Sequence, residues 1–210
     1  MLATKHFDYC INCAAYTNVE QAEQTPALAF AINSEAVQKL AKGCLAHDCV
    51  LIHVSTDYVF DGAKNEPYGT SDATNPINIY GKSKLAGEQH IQEILNRYFV
   101  IRTSWLYSEF GKNFYKTIVQ KAETEEVLTI TTDQTGCPTN ANNLATYMMK
   151  LIQTKSEAYG IHHFTDGEAM TWYGFAKKIL LENKLQDKVR LEKAQNYRTL
   201  AARPKNSVLQ

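Results

Sequence analysis

Short apolar runs alternate with amphipathic stretches along this chain. Runs rich in β-branched residues and bounded by turn formers predict strands, and apolar residues recurring every three or four positions predict helices. The predicted strands cover residues 7–13, 49–55, 98–103, 127–131 and 160–165. The predicted helices cover residues 26–32, 34–47, 79–96, 113–123, 142–154 and 171–183. This alternation of strand and helix predicts an α/β fold with a mostly parallel sheet.

The pattern loosens after residue 131, which predicts two parts, 1–131 and a smaller lobe at 132–210. The boundary is approximate, and the helix predicted at 142–154 is free to pack on the first part. A polar loop at 61–76, rich in glycine, proline and asparagine, separates strand and helix within the first part.

Charge and hydropathy narrow the classes of partner. The chain has 22 Lys+Arg and 22 Asp+Glu residues and contains no basic block. This balance argues against nucleic acid or an anionic membrane as the main partner. No apolar run approaches the roughly 20 residues that a membrane span needs. The first residues, Met1-Leu2-Ala3-Thr4-Lys5-His6, lack the apolar core of a signal peptide, so a cytoplasmic location is expected.

Cysteine and histidine give little support for a metal or redox site. The chain has five cysteines, an odd number that does not suggest a disulfide framework. Cys10 and Cys13 lie three apart on a predicted strand and therefore point to opposite faces. His162 and His163 are adjacent on another strand and diverge too, so no metal site is predicted.

The strongest candidate chemistry is carbonyl reduction. Tyr80 and Lys84 share one face of a predicted helix, and Thr56 ends a predicted strand, where parallel sheets bind ligands. A tyrosine pKa near 10 has to fall by about three units for efficient proton transfer, which takes roughly 4 kcal/mol. A Lys84 ammonium about 4–5 Å away supplies that much at an effective dielectric near 20. We therefore predict that Tyr80 is a general acid, although a Tyr-x-x-x-Lys pair on an exposed helix also occurs by chance.

Further residues at the same edge predict a ligand site. Asp57 and Tyr58 follow Thr56 directly, and Trp105 follows the next predicted strand. Tyr58 and Trp105 would form aromatic walls for a flat or sugar-like ligand. Packing in a hydrophobic core is the alternative for Trp105.

Six ordered segments resemble the dTDP-4-dehydrorhamnose reductases, a family of extended short-chain dehydrogenases/reductases. The resemblance covers residues 7–210. The segments are Asn12-Cys13-Ala14-Ala15-Tyr16-Thr17, Ser55-Thr56-Asp57-Tyr58-Val59-Phe60-Asp61-Gly62, Tyr80-Gly81-Lys82-Ser83-Lys84, Arg102-Thr103-Ser104-Trp105, Asp133-Gln134-Thr135-Gly136-Cys137-Pro138-Thr139 and Arg203-Pro204-Lys205-Asn206-Ser207.

The resemblance implies a reaction in which NADPH or NADH reduces the C4 keto group of a dTDP-4-keto-6-deoxyhexose, giving dTDP-L-rhamnose. It implies that Tyr80 protonates the C4 oxygen, that Lys84 holds the nicotinamide ribose and lowers the pKa of Tyr80, and that Thr56 bonds the reacting oxygen. The implied cofactor-binding residues are Ala14, Ala15, Tyr16, Thr17, Tyr80 and Lys84. The implied substrate-binding residues are Thr56, Asp57, Tyr58, Trp105 and, for the diphosphate, Arg203.

The chain departs from the family in its glycines. No two of its ten glycines are closer than six positions, so the family's glycine-rich phosphate loop is absent from these 210 residues. We therefore expect a Rossmann-like sheet that lacks its first βαβ unit, with 1–131 as an incomplete dinucleotide-binding domain and 132–210 as mainly a substrate-binding lobe. An open sheet edge invites pairing with another chain. The expectation is a truncated chain or a homo-oligomer that covers this edge.

Two other functions stay open. A non-catalytic nucleotide-sugar-binding or regulatory protein on the same scaffold would not need a phosphate loop, but it would not need Thr56, Tyr80 and Lys84 together either. A sugar-nucleotide epimerase is the other alternative, and the run Asp57-Tyr58-Val59-Phe60 does not favour it.

We predict that the 210-residue chain binds NADPH weakly, because it lacks the backbone N–H groups that usually receive the pyrophosphate. A titration that follows NADPH fluorescence measures this affinity. Tight binding would contradict the prediction.

Overall fold

The computed structural model describes residues 6–194 and 198–210. Most of the N-terminal segment on which the expectation about a signal peptide depends lies outside the described residues. The helices are α1 (Val19–Gln24), α2 (Pro26–Phe30), α3 (Ala36–Ala46), α4 (Ile79–Ile94), α5 (Phe114–Ala122), α6 (Ala141–Gln153) and α7 (Trp172–Glu182). The strands are β1 (Tyr9–Asn12), β2 (Val50–Thr56), β3 (Tyr98–Thr103), β4 (Leu106–Tyr107), β5 (Val127–Ile130), β6 (Thr135–Gly136), β7 (Thr139–Asn140), β8 (Gly160–His163), β9 (Met170–Thr171) and β10 (Arg190–Lys193).

The main sheet has four parallel strands in the order β1-β2-β3-β8. Helices α3 and α4 cover one face, where Val37, Leu51 and Ile91 belong to one buried cluster. Helix α6 covers the other face, where Leu144 and Met148 pack with residues of β2 and β3. The α/β fold with a mostly parallel sheet, predicted from the apolar runs, is confirmed.

A second hydrophobic cluster lies outside this sheet. It joins α5 and α7 to the parallel pair β5 and β10, around buried residues such as Ile118, Leu128 and Phe175. The division at residue 131 stays a prediction, and the clusters do not follow it. The second cluster includes residues before 131, whereas α6 and β8 follow residue 131 and pack with the main sheet.

The helical run from Pro26 to Ala46 differs from the two separate helices predicted. It is continuous through a π-helical turn at Ala31–Glu35, between α2 and α3. This turn directs Asn33, which is fully buried, toward the chain after β1: its Nδ2 donates to the carbonyl of Tyr16 and to Ser83 Oγ in α4. A π-turn of this kind is frequent at functional sites.

Helix α4 begins close to the end of β2. The side chain of Asn78 caps it by accepting from the N–H of Gly81 at 2.7 Å. A Cβ at position 81 would overlap the carbonyl oxygen of Tyr58, so only glycine lets the first turn approach this closely. The short turn Asp57–Val59 therefore lies directly against the start of α4.

A buried ionic cluster joins α4 to two strands. Glu88 of α4 is 0% exposed and accepts from Arg102 of β3, with Nη2 at 2.7 Å and Nε at 3.1 Å and 3.2 Å from the two carboxylate oxygens. Ser55 of β2 donates to the same carboxylate. The guanidinium also lies over the ring of Phe60, 5.2 Å from its centroid.

Within residues 6–194 and 198–210, no helix is long and apolar enough to cross a membrane. The same residues contain no group of three or more His, Cys, Asp or Glu side chains arranged to hold a metal ion. His162 and His163 make separate contacts, with Tyr147 and with the carbonyls of Tyr68 and Gln210 respectively.

We expect Glu88→Gln to lower the free energy of unfolding by about 3–5 kcal/mol, because it leaves the Arg102 guanidinium buried without its counter-charge. Urea unfolding measures the loss. Glu125→Gln is the matched control: it removes an exposed partner of Lys121, for which at most about 1 kcal/mol is expected. Similar losses in the two variants would contradict the prediction.

Candidate active site

The residues predicted to carry chemistry meet at the carboxyl end of β2. Thr56 is the last residue of this strand, and Tyr80 lies in the first turn of α4. The Thr56 hydroxyl is close enough to the phenol of Tyr80 to lower its pKa. The ring of Tyr58 packs edge-on against the ring of Tyr80, with centroids 5.7 Å apart.

The pKa of Tyr80 differs from the prediction. Burial raises it above its usual range, and the nearby Thr56 hydroxyl opposes this rise. The predicted lowering by Lys84 is wrong for this arrangement, because the Lys84 Nζ donates to the carbonyl of Val54 at 2.8 Å. A phenol already keeps its proton at neutral pH, and burial strengthens this preference in Tyr80.

Lys84 is almost fully enclosed, at 1% exposure. Burial lowers its pKa to about 8, while the charges of Glu88 and Cys13 act to raise it. Besides the Val54 carbonyl, the Nζ lies 3.2 Å from Nε2 of His53, a fully buried residue in the middle of β2. His53 in turn lies 2.9 Å from Nδ2 of Asn12 at the end of β1, through its Nδ1. Sequence reasoning missed His53, because a lone histidine in an apolar strand carries no signal of its partners.

Asp57 is buried beside Thr56, at 3% exposure. Thr56 Oγ1 donates to its Oδ1 at 3.0 Å, and among the described residues its Oδ2 has no hydrogen-bond partner. Burial raises the pKa of Asp57 to about 6, against the lowering effect of the nearby Ser207 and Thr56 hydroxyls. A buried carboxylate oxygen without a partner points to a ligand donor at this position.

Arg203 lies beside this group, as part of a bridge to α1. Its Nη1 donates to Tyr58 Oη at 3.2 Å, and its Nη2 pairs with Glu20 at 2.6 Å. Among the described residues, the buried Nε of Arg203 has no partner. Burial raises the pKa of Tyr58 to about 12.

Trp105 has a backbone that few residues other than glycine adopt, with φ of 48°. Such a conformation costs of order 1–3 kcal/mol and is frequent at ligand sites. The indole stacks on Trp172, which the sequence did not single out, with centroids 3.6 Å apart. A Cβ at Gly136 would lie 2.7 Å from the Trp105 ring, so glycine is needed there. Trp172 Nε1 donates to Gln134 Oε1 at 3.1 Å.

A pocket of about 240 Å³ opens between this aromatic stack and Arg203. Because Arg203 also contacts Tyr58, which packs on Tyr80, the pocket is connected to the tyrosine pair through one side chain. The residues that line it are Phe114, Thr129, Ile130, Thr131, Gln134, Trp172 and Arg203.

The segment Ala14 to Thr17 follows β1 at the same end of the sheet. The N–H of Ala14 donates to Asn12 Oδ1 at 3.1 Å, and the N–H of Tyr16 donates to Asn33 Oδ1 at 2.8 Å. Asn33 also bonds Ser83 in α4, so this segment is held against the helix that carries Tyr80 and Lys84. Asn33 was likewise missed, because its partners are distant in sequence.

A family model described as the RmlD substrate binding domain matches residues 1–210. Among curated proteins, the dTDP-4-dehydrorhamnose reductase of Aggregatibacter actinomycetemcomitans is 40% identical over 209 residues, covering 95% of this chain and 71% of the relative. The reductase of the same name from Escherichia coli K12 is 36% identical over 211 residues, covering 96% of this chain and 71% of the relative.

The comparison with solved structures agrees with the sequence relatives. The dTDP-4-dehydrorhamnose reductase of Bacillus anthracis in complex with NADP superposes with a TM-score of 0.92 at 40% identity, covering 97% of this chain and 72% of that chain. The dTDP-glucose 4,6-dehydratase of Streptomyces venezuelae, at 15% identity and a TM-score of 0.80, shares the fold alone.

We expect Asp57→Asn to be more stable than the parent chain at pH 7. The folded-state pKa of Asp57 is raised from 3.8 to about 6, so the unfolded chain releases this proton first as pH rises. The parent chain therefore loses stability between about pH 4 and pH 6, by about 3 kcal/mol at 1.36 kcal/mol per pKa unit, and the variant does not.

Urea unfolding from pH 3.5 to 8 measures the difference between Asp57→Asn and the parent chain. Asp133→Asn, which removes an exposed carboxylate by the same substitution, is the matched control. Parallel stability curves for the parent and Asp57→Asn across this range would contradict the prediction.

Proposed function

The chain belongs to the dTDP-4-dehydrorhamnose reductase family, and we propose that it reduces the C4 keto group of dTDP-4-dehydro-6-deoxy-L-mannose to give dTDP-L-rhamnose. The observation that supports the proposal is the packing of α4 against the end of β2: Thr56 ends the strand, Tyr80 lies in the first turn of the helix, and Lys84, one turn later, donates to the Val54 carbonyl. Ligands of open parallel sheets bind at this end.

Tyr80 acts as the general acid in this proposal. Its raised pKa keeps the phenol protonated at neutral pH, and the proton passes to the C4 oxygen as negative charge develops there. The hydroxyl of Thr56, which lies at the end of β2, bonds the same oxygen and orients it. Because the substrate carbonyl gains basicity during the reaction, a phenol that holds its proton in the resting state suits a donor better than it would suit a base.

The residues present fit a nicotinamide dinucleotide, which supplies the hydride when bound. Ala14 and Ala15 leave space after β1, and the enclosed Lys84 offers a nitrogen donor at the same edge. We propose that Ala14, Ala15, Tyr16 and Thr17 line the cofactor, and that Lys84 holds its ribose. The proposal covers both NADPH and NADH.

The sugar nucleotide would bind between the tyrosine pair and the aromatic pocket. Asp57 offers its unpartnered Oδ2 to a sugar hydroxyl, and Tyr58 and Trp105 supply flat surfaces. The unpartnered Nε of Arg203 suits a diphosphate oxygen.

The proposal also concerns the cellular location of the protein and its association with other copies of the chain. It includes a cytoplasmic location and association between copies of the chain through β1. This strand pairs with β2 on one side, and its Ile11 is 42% exposed. An edge strand with an exposed apolar side chain favours pairing with another strand.

We expect Tyr80→Phe to lower turnover of the 4-keto sugar nucleotide by roughly 10²–10⁴, the usual contribution of a general acid. The measurement is NADPH oxidation by the 210-residue chain with NADPH raised until the rate no longer increases. Tyr9→Phe is the matched control, because Tyr9 lies at the opposite end of the sheet, at the start of β1.

An unchanged rate in Tyr80→Phe would overturn the assigned role of Tyr80. Saturable binding of the sugar nucleotide without turnover at any NADPH concentration would favour the non-catalytic binding protein instead.

A further inference from the structure

A chain of three side chains lies behind the proposed active site and ends at Lys84. Asn12 Nδ2 is 2.9 Å from His53 Nδ1, and His53 Nε2 is 3.2 Å from Lys84 Nζ. His53 is 0% exposed and Lys84 1% exposed, so water does not supply alternative partners. Each contact therefore needs one donor and one acceptor.

The orientation of Asn12 decides where the proton of His53 sits. The N–H of Ala14 donates to Asn12 Oδ1 at 3.1 Å, which identifies this atom as the carbonyl oxygen. Nδ2 is then the amide nitrogen, a pure donor, and it faces His53 Nδ1. Nδ1 has to accept, so the neutral imidazole carries its proton on Nε2. Burial lowers the pKa of His53 well below its usual range, which keeps the ring neutral.

An N–H at His53 Nε2 needs an acceptor at Lys84. An ammonium has three donors and no lone pair, whereas a neutral amine has two donors and one lone pair. In the neutral form, one N–H donates to the Val54 carbonyl at 2.8 Å, the lone pair accepts from Nε2, and one N–H is left for the cleft. Every contact within this chain of side chains then joins one donor to one acceptor.

We propose that Asn12 and His53 are positioning residues that stabilise the neutral amine form of Lys84 by keeping the histidine proton on Nε2. Protonation of Lys84 then has a defined route. Nζ takes one proton from solvent, His53 loses the proton on Nε2 and gains one on Nδ1, and the Asn12 carboxamide turns over so that its oxygen accepts from Nδ1. The ring stays neutral throughout, so the net uptake is one proton.

The charges around Lys84 keep the two forms close in free energy. Glu88 on α4 and Cys13 after β1 favour the ammonium, and burial opposes it. Arg102 on β3 neutralises much of the influence of Glu88 by pairing with it. Since the Ala14 N–H holds the Asn12 amide, the proton on Lys84 is coupled to the backbone segment proposed to line the cofactor. This consequence rests on the proposed function; the proton positions do not.

Nitrogen NMR of the 210-residue chain labelled with ¹⁵N-histidine tests the proton positions directly. At pH 9.5, above the pKa of Lys84, Nε2 of His53 should show the shift and one-bond proton coupling of an N–H nitrogen, and Nδ1 those of an unprotonated nitrogen. The reverse assignment, or protons on both nitrogens, would overturn the proposal. The spectrum does not depend on turnover, so this outcome is separate from failure of the proposed function.

Asn12→Asp should reverse the arrangement. One carboxylate oxygen still accepts from the Ala14 N–H, and the other replaces Nδ2 and accepts from His53 Nδ1–H. We expect the histidine proton to move to Nδ1 and the pKa of Lys84 to rise by at least one unit, a tenfold change in its ammonium-to-amine ratio. Lysine side-chain NMR followed against pH measures the second effect.

Asn65→Asp is the control, because it adds the same charge at an exposed loop position and should leave both signals unchanged. The pKa of Lys84 could rise in Asn12→Asp while the His53 proton stays on Nε2. The rise would then come only from attraction between the new carboxylate and the ammonium, and this outcome would contradict the proposal. If Asn12→Asp does not fold, the wild-type spectrum still decides.

Discussion

The position of the proposed active site depends on one buried ion pair. Glu88 binds Arg102 and Ser55 at once, and these three residues belong to α4, β3 and β2. Tyr80 and Lys84 belong to the same helix as Glu88. The Glu88–Arg102 ion pair therefore fixes the distance of these two residues from β2, the strand that ends in Thr56. Removing two charges from water costs several kcal/mol per ion, so the arrangement is explained by geometry rather than by added stability.

The two central strands of the main sheet, β2 and β3, were predictable from the sequence because they are buried on both faces. Such strands are continuous apolar runs, and β2, from Val50 to Thr56, is the clearest case. The two-residue strands and α1 carry no comparable pattern. The π-helical turn at Ala31–Glu35 was also unpredictable, since it is set by Asn33 reaching Tyr16 and Ser83, contacts that only the folded chain creates.

The residues of the proposed site also fall into those that the sequence predicts and those that it does not. Thr56, Tyr80 and Lys84 were found because residue type and helical spacing already suggest their chemistry. His53, Asn33 and Trp172 were missed because each matters only through a neighbour far away in the chain. The pKa of Tyr80 shows the same limit: the sequence suggests Lys84 as the dominant influence, whereas the folded protein makes burial dominant.

Gly81 has a consequence for moving this chemistry to other proteins. The glycine inside Tyr80-Gly81-Lys82-Ser83-Lys84 takes no part in proton transfer, yet it sets how near the helix comes to the turn after Thr56. A designer who transfers the tyrosine and lysine to a new helix therefore also has to transfer the glycine between them, because a side chain at that position would keep the helix away from the turn. Within this motif, the smallest residue determines the distance over which the reactive ones act.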